Sequence, residues 1–384
     1  RTHTENLTGR ATIEPLPDLK IELNLNRTYA RNYSSFITYD DSLNRFNFDG
    51  TPNLTGNFSI STITFASAFK KDEKNSYSNE VFTEFRNIQR VKYAGLLAAE
   101  NPNSSYIIDP VTNKGYWDGY SLEHQDVLIN AFVAAYTGKS NRLKKDYFST
   151  LPMPNWTIRY EGLGKIKALK KTFKSLTLSH AYRSTMNMAS FTNNLLYGTD
   201  NNGNANVKNP GNPLNYVARY NIPTVTISEQ FSPLVKVDMQ FVKQGWSGNF
   251  EIKKDRTLSL STGTQVLNEI KGNELVFGAG YLYPKLTIKK FKVKGKPLQS
   301  DLKIKVDLSV RKNSTLQRRI VDGINTPTAG QRIITLRTSA DYQITNNVTL
   351  RFFFDKTLNR PVVSSSFPTS NTNAGFSIRF TLGS

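Results

Sequence analysis

Ile334-Thr-Leu-Arg-Thr-Ser-Ala-Asp-Tyr342, then Val348-Thr-Leu-Arg-Phe-Phe-Phe-Asp355, then Phe376-Ser-Ile-Arg-Phe-Thr-Leu382, decide how this chain folds. Ile334, Leu336, Thr338, Ala340 and Tyr342 alternate with Thr335, Arg337, Ser339 and Asp341. After a turn at Asn346-Asn347, Val348, Leu350, Phe352 and Phe354 alternate with Thr349, Arg351, Phe353 and Asp355. A period of two places one set on each face of a strand, so each strand separates an oily region from a wet one. Two settings produce that pattern, a soluble sandwich or a membrane barrel with water inside. Several runs hold the alternation for nine or more residues, the span that a tilted strand needs to cross a bilayer; soluble strands more often stop at five or six. The expectation is an all-β, antiparallel transmembrane β-barrel segment with a small helical insertion. On it, Leu350, Phe352, Phe376, Ile378 and Phe380 face lipid, and Arg337, Arg351 and Arg379 face the lumen.

Composition agrees with that expectation without requiring it. The 384 residues hold no Cys, which excludes disulfides and thiolate metal sites. No run of eighteen apolar residues is present, so a membrane-spanning helix is not expected, but barrel strands keep half their residues in water. A net charge of +20 calls for an anionic counterpart, in lipid head groups, acidic polypeptide or nucleic acid. The chain lacks an initial Met and a leader pattern, which suggests that it begins partway through a longer protein.

Taken in order, residues 1–66 read as barrel strands, closed at first by Pro15-Leu16-Pro17 and later by the turn cluster Asp49-Gly50-Thr51-Pro52. Residues 67–153 change period and read as an inserted helical subdomain on the extracellular side. Its helices are expected over Ser78–Glu100 and over Ser121–Tyr136, with Ser121 as cap and Gly138 as stop. Residues 154–384 return to strands, with a corner at Ser232-Pro233, a break at residues 253–255 and long loops at 192–221, 312–330 and 357–373. Long connections then sort to one side and most short ones to the other, as an outer-membrane barrel requires. The count is about fifteen strands of a larger barrel. An odd number cannot close by itself, so the remainder of the same chain would supply the rest of the wall.

No chemistry stands out. His3, His124 and His180 lie far apart, without metal-ligand spacing, and no nucleophile or carboxylate pair is set for catalysis. Neither a catalytic site, a cofactor nor a metal is expected. Gly278-Ala-Gly280 lies within a strand and suggests bending or a close approach there rather than cofactor binding. Lysines cluster near short connections, with Lys165, Lys167 and Lys170 in one place and Lys289, Lys290 and Lys292 in another. They suggest a basic periplasmic rim that meets phospholipid or an acidic partner protein.

Longer words are also familiar. Asn155-Trp-Thr-Ile-Arg-Tyr-Glu-Gly-Leu, Ser175-Leu-Thr-Leu-Ser-His-Ala-Tyr-Arg-Ser, Ile227-Ser-Glu-Gln-Phe-Ser-Pro-Leu, Ser366-Phe-Pro-Thr-Ser-Asn-Thr-Asn-Ala-Gly and Ile378-Arg-Phe-Thr-Leu resemble the C-terminal part of the SprA/Sov family, along the whole chain. That family is the outer-membrane translocon of the Bacteroidetes type 9 secretion system. The resemblance implies a giant single-chain barrel that passes folded cargo proteins through a wide lumen with a lateral opening. It also implies a small lipid-binding barrel partner at that opening, a periplasmic plug protein, contact with outer-membrane lipid, and no nucleic acid. A porin-like or nutrient-importing barrel is the alternative.

Overall fold

The computed structural model describes the chain apart from positions 112, 139–142, 144–146, 149–150, 244, 294–295, 346, 363–366 and 381–384; at 48–51, 289–293 and 296 it describes the backbone only. The proposed turn residue Asn346 and the terminal Leu382 thus lie outside the described residues.

Twelve strands build one large antiparallel sheet: β1 (Thr2–Leu16), β2 (Leu19–Asp40), β3 (Arg45–Ser61), β4 (Asn155–Tyr160), β5 (Phe173–Asn193), β6 (Thr224–Phe241), β7 (Trp246–Ser261), β8 (Val266–Val293), β9 (Lys296–Arg319), β10 (Asn325–Thr345), β11 (Val348–Pro361) and β12 (Thr369–Phe380). Apart from β3 and β4 they pair in chain order, as a meander, and the two-residue strand Tyr220–Asn221 also pairs with β5 ahead of β6, making thirteen strands in all. The all-β class with a small helical insertion is therefore what the period of two predicts. No helix among the described residues is long and apolar enough to cross a membrane, which leaves β-barrels open. The large sheet is compatible with an outer-membrane barrel.

β3 and β4 share one lane. β2 pairs with β3 through Arg27–Asp40 and with β4 through Leu19–Asn24, and β5 flanks both on the other side. The two ends are clamped together: the Ser61 hydroxyl donates to the Met153 carbonyl at 2.7 Å, and the Met153 N–H donates to the Ser61 carbonyl at 2.9 Å. The inserted residues 62–154 thus leave and re-enter the sheet at one point in mid-lane. Twelve strands fill eleven lanes, an odd number, with β1 and β12 as the two edges among the described residues.

Several boundaries differ from the sequence reading, and most differ in one direction: strands are longer than expected. Ser232-Pro233 is no corner, because β6 runs through it with a register shift between Phe231 and Val235, and proline is tolerated at such a bulge. Residues 253–255 lie in the middle of β7, so Lys253 and Lys254 are not at a connection. Asp49–Pro52 lies inside β3, and the β2–β3 turn falls at 41–44. The loop expected at 312–330 shrinks to 320–324, and within the one expected at 357–373 β11 runs on to Pro361 and β12 begins at Thr369. The physical reason is common to all. Beyond the apolar band both faces turn polar, so the hydrophobic alternation fades while the backbone ladder continues. About fifteen strands therefore becomes eleven lanes.

The insertion forms one body with the Asn-rich segment 192–221, which is not a free loop. The Ser121 N–H donates to Asn215 Oδ1 at 2.8 Å, Asn101 Nδ2 to the Ala205 carbonyl at 2.9 Å, and the Tyr216 hydroxyl to the Asn103 carbonyl at 2.6 Å. Helix α1 is continuous through Glu80–Glu84, a π turn at Phe85–Gln89, and Arg90–Ala99; α2 is Gln125–Thr137. Gly138 ends α2 with φ of 70° in the left-handed region, as expected of glycine there. The start differs: His124 caps α2, with Nδ1 accepting the Asp126 N–H, while Ser121 takes the Glu123 N–H one turn earlier. Phe82, Phe85 and Phe132 of the helices and Phe58, Ile227 and Leu258 of the sheet are all buried in a single core between them.

Candidate functional site

The candidate functional element is the sheet, and its two faces are read from the register, since directly paired residues point the same way. On one face the rows Tyr283–Leu302–Tyr342–Leu350–Ile378 and Tyr281–Ile304–Ala340–Phe352–Phe376 cross β8 to β12, and the row Phe277–Leu308–Leu336 crosses β8 to β10 and continues into Lys356 and Thr372. The intervening residues, such as Lys303, Lys305, Asp307, Ser309 and Arg311 on β9, all point to the other face. One face is apolar and the opposite face carries charge. This brings Leu350, Phe352, Phe376, Ile378 and Phe380 together on the apolar face, and Arg337, Arg351 and Arg379 together on the polar one.

The polar face is a lattice of alternating charges. Arg311 contacts Asp255 at 2.8 Å and Glu274 at 3.4 Å, Lys236 contacts Asp238 at 2.9 Å, Lys305 contacts Asp307 at 3.3 Å, and Arg351 contacts Asp341 at 3.3 Å. Arg337 lies opposite Asp307 on one side and Asp355 on the other. These pairs are partly exposed, so solvent screens them and each contributes modestly to stability; together they present a mixed, hydrated surface. A shallow groove of about 890 Å³ runs along it, lined by Asp238, Asn249, Lys305, Asp341 and Arg351. Gly278 belongs here: a Cβ would meet the side chains of Asn249 and Asp307, so the expected close approach is to neighbouring polar groups.

The apolar face has two zones. Toward the end with hairpins β6–β7 and β8–β9 it is uncovered, and its margin is aromatic. Trp246 packs against Tyr281 with ring centroids 4.7 Å apart, Tyr283 follows, and the Tyr342 hydroxyl donates to the Leu286 carbonyl at 2.9 Å. From Leu302 to Lys312 on β9, ten residues along the strand cover about 33 Å at 3.3 Å each. At a tilt of about 40° that is a height of about 25 Å, the thickness of an outer-membrane apolar band.

Toward the opposite end the insertion covers the same face across β3 to β9. It packs on the apolar side of the sheet, against Phe58, Ile227 and Leu258. The contact includes buried charge. Arg318, fully buried, donates from Nη2 to Glu269 at 2.6 Å and to Asp72 at 2.8 Å, and from Nη1 to the Tyr77 carbonyl at 2.7 Å. Arg256 donates to Glu229 at 2.9 Å and to the Ser67 carbonyl at 2.9 Å, while the Thr64 hydroxyl donates to Glu229 at 2.6 Å. Burial by itself would raise the carboxyl of Asp72, yet the hydrogen bonds and charges of Lys271 and Arg318 hold it below its usual value.

The lysines expected at a basic rim lie toward one end of the sheet. Lys165, in the turn Gly162–Lys165, contacts Asp18 at 2.6 Å; Lys167 and Lys170 follow in the helical turn Lys167–Lys170 between β4 and β5. Lys289, Lys290 and Lys292 lie in the strand leading to the β8–β9 hairpin at the same end of the sheet; their side chains lie outside the described residues. Sequence reasoning missed the aromatic margin and the roles of Arg256 and Arg318. For the margin a partial signal was present, since Trp246 and Tyr342 stand beside short connections, whereas Tyr281 and Tyr283 lie well inside β8. Among the described residues no cluster of three His, Asp or Glu side chains is placed to hold a metal. No family model matches the chain, and no curated protein matches it.

Proposed function

We propose that this chain is part of the wall of a very large outer-membrane barrel that conducts proteins, exporting folded cargo from the periplasm to the cell surface. The observation that carries the membrane part is the uncovered apolar band, about 25 Å tall, with an aromatic margin and a hydrated charge lattice on its reverse. In lipid, unpaired backbone groups are too costly to leave open, so the edges β1 and β12 need further strands from the remainder of the same chain or a partner seated on them. An eleven-lane open arc implies a wide barrel. The protein-conducting part rests on the sequence resemblance to the SprA/Sov family, with a plug protein, a small lipid-binding barrel and secreted cargo as its partners.

Such a wall acts by geometry. The alternating charges of the polar face keep water against the wall, and because neighbouring signs are paired, a passing protein meets no large field of one sign. The test is reconstitution of the full-length native protein in planar bilayers, freed of partners. A conductance of the size expected for a pore wide enough for folded protein is the predicted result. A narrow, solute-selective conductance would overturn the protein-conducting part, and a protein washed off membranes by salt would overturn the membrane part.

A further inference from the structure

On the apolar face, at the margin opposite the aromatic one, Lys312, Arg332 and Arg360 stand directly across from one another on β9, β10 and β11. Residues paired in this way have Cβ atoms about 5 Å apart, and like charges so placed repel. All three are exposed, and among the described residues no carboxylate contacts any of their side chains. Two other cations of β9 differ: Arg311, next to Lys312 but on the opposite face, has two carboxylates, and Arg318 further along has two more. The row immediately below consists of Val310, Ile334 and Leu358, again mutually opposite, and it opens the apolar band. Lys356, one turn of the pleat further down, is exposed on the same face, where its long stem can carry the ammonium up toward the row. The three cations therefore sit where hydrocarbon ends, about 25 Å from the aromatic margin, at the end of the sheet away from the short hairpins.

We propose that Lys312, Arg332 and Arg360 form a binding row for the phosphorylated head groups of outer-leaflet lipid, as in a glycolipid bearing phosphates on its sugar. The proposal rests on the membrane reading above. A phosphate between adjacent guanidinium and ammonium groups relieves their repulsion and accepts their donors, Arg332 bidentately from the centre. The acyl chains of the same lipid then lie over Val310, Ile334 and Leu358. A charged headgroup with apolar chains directly beneath it is the one occupant that matches both rows.

The test uses the full-length protein in phosphatidylcholine vesicles, titrated with diphosphoryl lipid A or with lipid A from which the phosphates have been removed. Parent protein is expected to bind the phosphorylated form far more tightly. Lys312→Gln/Arg332→Gln/Arg360→Gln should weaken that binding about a hundredfold, since each cation near a membrane surface is worth about a fivefold change. The control Lys303→Gln/Lys305→Gln/Arg337→Gln removes equal charge from the opposite face and should bind as the parent does. Equal losses in both variants would mean a net-charge effect and overturn the site. An unchanged apolar-face variant that remains embedded in the vesicles would overturn the proposal and leave the membrane reading standing. If the parent itself is stripped from vesicles by salt, the membrane reading fails first and the proposal with it.

Discussion

Arg318 and Glu269 face each other at 2.6 Å on neighbouring strands, both excluded from solvent, and the same guanidinium reaches Asp72 of the insertion at 2.8 Å. The pair does more than join β8 to β9, because it holds the inserted subdomain against the sheet.

Removing one partner leaves buried charge uncompensated, which costs about 3–5 kcal/mol. Arg318→Met should therefore loosen the insertion from the wall, seen as faster hydrogen exchange in α1 and α2 while the strands of the uncovered band keep their protection. Arg318→Met/Glu269→Met should recover much of the loss. Unchanged exchange in the single variant would show that the apolar core alone holds the subdomain.

His124 predicts a pH dependence. Its Nδ1 accepts the Asp126 N–H that starts α2 and its Nε2 contacts the Tyr216 carbonyl at 3.1 Å, so it serves as a neutral ring; burial lowers its pKa below the usual value. The folded state binds the proton less readily than the unfolded state, so this stabilisation is complete above about pH 6.5 and lost as pH falls below it. Amide protection factors in α2, corrected for the slower intrinsic exchange at low pH, should fall on acidification from pH 7 to pH 5. His124→Asn keeps a capping acceptor without a titratable ring and should flatten that profile.

Glycine substitutions should separate rigid from yielding contacts. At Gly56 a Cβ would strike the Ala30 carbonyl and the Phe191 ring, so Gly56→Ala should cost about 1–3 kcal/mol by overpacking. At Gly278 the obstacles are the ends of the Asn249 and Asp307 side chains on the hydrated face, which can turn away. Gly278→Ala should be close to neutral in the same thermal unfolding assay.

How far these features can be read from sequence depends on the surroundings of each strand. Where one side is oily, as along Leu350–Phe354, alternation reveals both strand and face. Along Lys312–Arg319 both sides are polar, and the same ladder reads as a loop. The insertion is legible as helices, because Val127, Leu128 and Ala131 repeat at helical spacing. Its seat is not, since nothing local tells that Val225 and Leu260 meet helices where Phe352, on the same face, meets none. The interrupted lane is likewise hidden: β3 and β4 are separated by the whole insertion, and only the Ser61–Met153 clamp joins their ends.

The two faces make opposite predictions for the same substitution at similar height. Leu308 lies mid-band on the apolar face, between Phe277 and Leu336, whereas Ser339 lies on the polar face between Lys305 and Phe353. An arginine at the midplane of a lipid-facing strand costs about 2–4 kcal/mol, while one that faces water in a lumen costs little. Leu308→Arg should reduce the yield of folded, heat-resistant protein in vesicles, with a stability loss of that size. Ser339→Arg should assemble as the parent does, since Asp341 two residues along the same face offers a counter-charge. The result decides which face is dry: if Ser339→Arg is the more damaging of the two, the wall is inside out relative to this reading, and lipid lies against the charge lattice.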